Sequence, residues 1–134
     1  MKIMLDTNIL LDVALGRKPH VNHSLDVLKW AEDRPFQAAL SCHCLDNIHY
    51  VLSKDSKSSQ SRTFLRQILD FLDVTPLERD DFLLAVDHAL MKDLEDTFVE
   101  RAAIKFEAEY IVTRNTKDFR HSRIKALSPC AFLK

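Results

Sequence analysis

The sequence predicts an α/β domain, a short parallel β-sheet held between layers of helices. Three observations carry that reading. Short apolar runs alternate with segments of helical period, the pattern of strands joined by helical crossovers. The first run, Ile3-Met4-Leu5, stops at an acid, Asp6, and passes at once into an amphipathic segment. The chain holds a single glycine, which argues against sheets joined by many tight hairpins and against glycine-built phosphate loops.

The 134 residues suffice for one domain with a core and are too few for two ordinary ones. Apolar residues make up 46% and charged residues 29%, the balance of a water-soluble globule. A net charge of −1 leaves no global field for nucleic acid, so any such contact needs a local basic patch. No apolar run is long enough for a membrane span, and the N-terminus does not read as a signal peptide. The cytoplasm is therefore the expected compartment. Three cysteines, an odd number, fit reduced thiols better than a disulfide framework.

Taken in order, Ile3, Met4 and Leu5 read as a strand buried on both faces. Asp6, Thr7 and Asn8 can each cap the helix whose apolar side is Ile9, Leu10, Leu11, Val13 and Ala14. Residues 16–19 break the pattern, and residues 24–32 resume it until Pro35. Residues 36–40 form a second strand, and Ser41 caps a helix carrying Leu45, Ile48, Tyr50, Val51 and Leu52. Residues 54–62, polar and rich in Ser and Lys, read as a solvated loop. A helix at 64–72, a strand at 73–77 and a helix from Asp80-Asp81 through Leu90 follow. A further helix covers 93–106, and 110–113 is the clearest strand in the chain. A capped turn at 115–119 and an edge strand at 125–129 close the sequence.

Four acids fall at comparable points of this layout. Asp6 ends the first strand, and Asp46 lies a turn into the helix after the second. Asp96 opens the helix at 93–106, and Asp118 lies in the turn after the last clear strand. In a parallel sheet these positions share the carboxyl edge, where open α/β folds place their ligands. Carboxylates gathered there repel one another, and a divalent cation relieves this. An all-oxygen shell suits Mg²⁺ or Mn²⁺.

Leu5-Asp6-Thr7-Asn8-Ile9-Leu10, Asp93-Leu94-Glu95-Asp96 and residues 111–119 together resemble a PIN domain, nearest the single-domain VapC-type toxins. The resemblance implies a Rossmann-like three-layer sandwich over residues 1–134 and a metal-dependent ribonuclease. It also implies a homodimer and, for a toxin, a cognate antitoxin protein. Asp6 and Asp96 match metal-binding acids of the family. The second acid there is often Glu, and residues 41–54 offer only the shorter Asp46, which would reach the ion through water. The fourth site falls on either Asn115 or Asp118. Thr7, Asn8 and Thr113 would orient carboxylates and water, and Asn115 can accept through its carbonyl.

The implied chemistry is attack by a metal-activated water on the phosphodiester, which leaves a 5′-phosphate and a 3′-hydroxyl. None of the histidines is required for it. RNA contacts fall to Arg114, Lys117 and Arg120 beside the acidic turn, with Arg123 near them. Lys54, Lys57, Arg62 and Arg66 form a second cationic group that reads equally well as a solvated face. Cys42-His43-Cys44 with His49 lacks paired zinc-ligand spacing and reads as structural thiols. A competing function is a PIN-fold module, weakened at Asp46 and Asn115, that binds RNA or protein without cutting.

Overall fold

The computed structural model describes residues 1–55 and 58–134. Its sheet has five strands: β1 (Ile3–Leu5), β2 (Ala38–Ser41), β3 (Asp73–Thr75), β4 (Tyr110–Val112) and β5 (Lys125–Leu127). They lie in the order β3-β2-β1-β4-β5 with every neighbouring pair parallel. β1 is central, Met4 standing opposite Ala39 on one side and Ile111 on the other. Ile3, Met4 and Leu5 have no exposed surface, as a strand covered on both faces requires.

The helices are α1 (Thr7–Leu15), α2 (Val21–Glu32), α3 (Cys42–Asp55), α4 (Ser58–Leu69), α5 (Arg79–Val86), α6 (Leu94–Phe106) and α7 (Pro129–Phe132). α6 packs against β1, β2, β3 and β4, and α5 packs on α6. α1 packs with α2 and α3, and α3 with α4, as the opposing layer. The result is the expected α/β three-layer sandwich.

Local chemistry sets the ends that matter for the site. The Asp6 carboxylate accepts the Thr7 amide at 2.8 Å, which opens α1 directly at the end of β1. Gly16 ends α1 at φ 62°, a left-handed position that suits a residue without a Cβ. Asp93 opens α6 by accepting the Glu95 amide at 2.8 Å, so Asp96 follows within the first turn.

Several elements differ from the expectations. Most of residues 54–62 is helical, α3 running to Asp55 and α4 starting at Ser58. The reason is tertiary: Ser61, almost fully buried, pairs its Oγ with His49 Nδ1 of α3 at 2.8 Å. A polar residue here has a partner that local composition does not reveal. Phe36 does not join β2, because its φ of 64° is incompatible with an extended strand. α5 stops at Val86 rather than near Leu90; His88 Nδ1 accepts the amides of Leu90 and Met91 and so replaces the helical carbonyls. Residues 128–129 are not strand either, since Ser128 Oγ accepts the Ala131 amide and opens α7.

Candidate functional site

β1 and β4 are neighbours, so the turns at their carboxyl ends meet. Asp6 is 8% exposed there, and both of its carboxylate oxygens are occupied. Oδ1 accepts the Thr7 amide, while Oδ2 accepts Thr113 Oγ1 at 2.8 Å and Asn8 Nδ2 at 3.3 Å. Thr113 Oγ1 in turn accepts the Asn115 amide at 3.0 Å. Asn8 Oδ1 accepts the Arg114 amide at 3.4 Å. Thr7, Asn8, Thr113 and Asn115 thus form a shell around Asp6, Asn115 through its backbone rather than its side chain. Such a shell holds a carboxylate in one orientation.

Asp96, from the first turn of α6, borders a cavity of about 200 Å³ with Asp93, Lys117, Asp118, Arg120 and His121. Its carboxyl is pushed up to about 7 by burial first, then by the charges of Asp93, Asp6, Asp118 and Glu95. The Asp6 carboxyl is raised as well, because burial outweighs the bonds from Thr113 and Thr7, and Glu95 and Asp118 add to it. Asp118 therefore acts on both Asp6 and Asp96, Asp6 acts on Asp96, and among the described residues none of them forms an ion pair.

Asp46 stands apart from this group. It is exposed on α3 and makes no hydrogen bond or ion pair among the described residues. The next residue, Asn47, is half-buried, and its Nδ2 donates to Glu95 Oε1 at 2.7 Å. One residue is about 100° of helix, enough to exchange a side chain that reaches α6 for one that faces water. Buried Cys44 and Ile48 mark the inner side of α3, and Asn47 lies three residues from the first and one from the second. That helical phase was the signal in the sequence for Asn47. Glu95 and Asp93 also belong to the acidic group, since both act on the Asp96 carboxyl. Asp46→Asn is expected to leave melting temperature and Mn²⁺ response within error of the wild type, as calorimetry can show, whereas a lost Mn²⁺ response would return Asp46 to the site.

The basic residues divide. Lys117 and Arg120 are exposed on the cavity wall, where they were expected. Arg114 is committed elsewhere: its Nε and one terminal nitrogen donate to the two oxygens of Asp12 at 2.6 and 3.0 Å. Asp12 has no exposed surface and also accepts Ser24 Oγ at 3.1 Å. This pairing of a buried acid with a guanidinium fork ties the end of β4 to α1. Lys54, Arg62 and Arg66 are exposed, Lys54 standing 4.3 Å from the Tyr50 ring centre, and Lys57 lies outside the described residues. Cys44 is buried with its thiol pushed up to about 12 by burial, and His43 Nδ1 lies 2.6 Å from Ser41 Oγ.

The donor set is one of hard oxygens, and Asp96 meets four other carboxyl groups. That chemistry fits Mg²⁺ or Mn²⁺. Among the described residues no three His, Cys, Asp or Glu side chains close into a finished metal-holding group. Asp93, Asp96 and Asp118 line the cleft as separate donors.

Known proteins were compared with this chain. The family model for the PIN domain matches residues 2–117. VapBC2 from Rickettsia felis, solved bound to a DNA fragment from its promoter, is 21% identical over 96% of this chain and 98% of that one, with a TM-score of 0.73. A toxin–antitoxin complex from Klebsiella pneumoniae is 24% identical, with the same coverage and a TM-score of 0.71. VapC20 from Mycobacterium tuberculosis, a toxin that cleaves the sarcin–ricin loop, is 16% identical over 82% of this chain and 87% of that one, with a TM-score of 0.66. At these identities the likeness is one of fold. Comparison with curated proteins returned no match. The family model, in contrast, spans most of the sequence, from ahead of the central strand into the acidic turn, and the chain belongs to the PIN domain family.

Proposed function

We propose that this chain is a metal-dependent endoribonuclease, the VapC-type toxin of a toxin–antitoxin pair, acting in the cytoplasm. The observation that carries the reading is the carboxyl of Asp96, held near neutrality by burial and by four other acids at the carboxyl edge of the sheet. Excess negative charge concentrated at such a place is the ordinary signature of a cation site.

Asp6 and Asp96 would hold the ion directly, with Asp118 as the third donor, and Mg²⁺ or Mn²⁺ would supply an activated water and offset charge on the phosphate. The shell of Thr113, Asn8 and the Thr7 amide keeps Asp6 aimed, so no reorientation is needed when substrate arrives. Lys117 and Arg120, which line the same cavity as Asp96, would take the phosphates flanking the scissile bond. Buried Asp12 keeps Arg114 out of that role.

The homodimer rests on α5, which buries Asp81 and Ala85 and turns Phe82, Leu83, Leu84 and Val86 outward. A helix whose apolar side faces water wants a partner surface. Sedimentation as a monomer at micromolar concentration would remove this part of the reading. The antitoxin is proposed from the assemblies named for the Rickettsia and Klebsiella relatives. Among the described residues no helix is long and apolar enough to cross a membrane.

One observation favours the competing binding-module reading: α3 presents the amide of Asn47, not a carboxylate, to the acidic group. The deciding experiment incubates a single-stranded RNA with the wild type and with Asp6→Asn, in Mn²⁺ and in EDTA. Cleavage is expected only for the wild type with metal, leaving 5′-phosphates, and the variant should lose at least about a hundredfold in rate. Cleavage in EDTA, or products ending in 2′,3′-cyclic phosphate, would refute the mechanism. Tight RNA binding without cleavage in any divalent ion would establish the binding module.

A further inference from the structure

Glu100 has 2% of its surface exposed and takes no part in the chemistry above. It lies four residues after Asp96 on α6, one turn along the same side of the helix. Its Oε2 accepts the backbone amide of Arg123 at 2.7 Å. Its Oε1 lies 3.4 Å from Nε2 of His88. His88 Nδ1 accepts the amides of Leu90 and Met91, at 3.3 and 3.2 Å, which places the ring proton on Nε2, facing Glu100.

One of these contacts ends on a segment that lines the acid cleft, and the other just beyond a second such segment. One wall is Leu90, Met91, Lys92 and Asp93; the other is Lys117, Asp118, Arg120 and His121. His88 grips the first wall by its amides, and Arg123 follows the second wall by two residues. A single buried carboxylate thus accepts an amide on one side and lies against the His88 ring on the other. Burying a carboxylate is costly unless its oxygens are satisfied, so the Arg123 amide and the facing His88 ring are both tied to its position. A buried acid serving one backbone amide would not need His88.

We infer that Glu100 and His88 are positioning residues that set the distance between the two cleft walls, and thereby how well an RNA strand is held against the acids. The inference rests on the ribonuclease reading and deepens it. Lys117 and Arg120 stand on one lining segment and Lys92 and Asp93 on the other, so a change of width moves a bound strand relative to Asp96 between them. Strand binding, rather than bond cleavage, is what this pair controls.

The test uses Glu100→Gln and His88→Asn in the full chain, reading amide hydrogen exchange at residues 90, 91 and 123, melting temperature, and KM and kcat on a single-stranded RNA in Mn²⁺. A glutamine offers one acceptor where the carboxylate offered two, so Glu100→Gln should speed exchange at one wall at least about tenfold. KM should rise about tenfold with kcat within threefold of the wild type. Asn at position 88 can still accept the amides of residues 90 and 91 but is too short to reach Glu100. His88→Asn should therefore keep those two amides protected and raise KM all the same. A lower melting temperature with KM and kcat unchanged in both variants would show the pair to be structural only and overturn the proposal. So would a collapse of kcat at constant KM. If the wild type cuts no RNA, the ribonuclease reading fails by itself. The pair is then judged by exchange and by the Kd for the uncut strand, and unchanged values in both variants overturn it.

Discussion

Asp96→Asn is expected to raise the melting temperature of the metal-free protein while abolishing its response to Mn²⁺. The Asp96 carboxyl sits near 7 in the folded chain, against an ordinary value of 3.8. Between those values the folded chain keeps a proton that the unfolded chain has released. The stability from this group is fully present below pH 3.8 and is lost as pH rises through about 7. Asp6, raised in the same direction, adds to the loss. A neutral amide at position 96 removes the repulsion above that window. With screening allowed for at a half-buried site, the gain is about 1 kcal/mol, or ~3 °C for a chain of this size.

The same group makes the metal response depend on pH. A cation must displace the proton on Asp96, so the melting temperature should rise more with Mn²⁺ at pH 8 than at pH 6. At a hundredfold excess over its Kd, bound Mn²⁺ is worth about 2.7 kcal/mol, a shift of ~10 °C. Scanning calorimetry at both pH values, with and without Mn²⁺, reads all of this for wild type and variant. Equal Mn²⁺ shifts in the two proteins would remove Asp96 from the metal site. A variant less stable than the wild type in EDTA would contradict the repulsion argument.

Arg114→Ala should cost about 3 kcal/mol of folding stability, because it leaves the carboxylate of Asp12 buried without its guanidinium partner. For this chain that is a fall of roughly 10 °C in melting temperature. Ser24 and the more distant Arg17, 3.9 Å from Asp12 Oδ1, offset only part of the loss. Arg114→Lys should recover some of it, since a lysine keeps the charge but cannot make the paired fork. Urea unfolding separates this role from substrate binding. A stability within about 0.5 kcal/mol of the wild type, together with weaker RNA binding, would return Arg114 to the cleft as a substrate contact.

The strands and most helices were legible because each is a local pattern. Ile3 to Leu5 and Tyr110 to Val112 are apolar runs bounded by polar residues, and α6 carries its cap and its period within itself. The stretch at 54–62 misled because its helical state depends on a contact between Ser61 and His49, twelve residues apart. The end of α5 misled for a similar reason, since His88 turns back onto the amides that follow it.

By itself the sequence determined the order of most elements and placed Asp6 after the central strand and Asp96 in the first turn of α6, because a strand's length and a cap's position are properties of neighbouring residues. Only the tertiary structure decided which side chains turn toward one another there. Asp46 and Asn47 differ by one residue, and the rotation of α3 against the core makes one exposed and aims the other at Glu95. Arg114 stands beside the acidic turn in sequence, yet it is bound to Asp12, 102 residues away. Direction and partner are set by packing through space, which no short window of sequence contains.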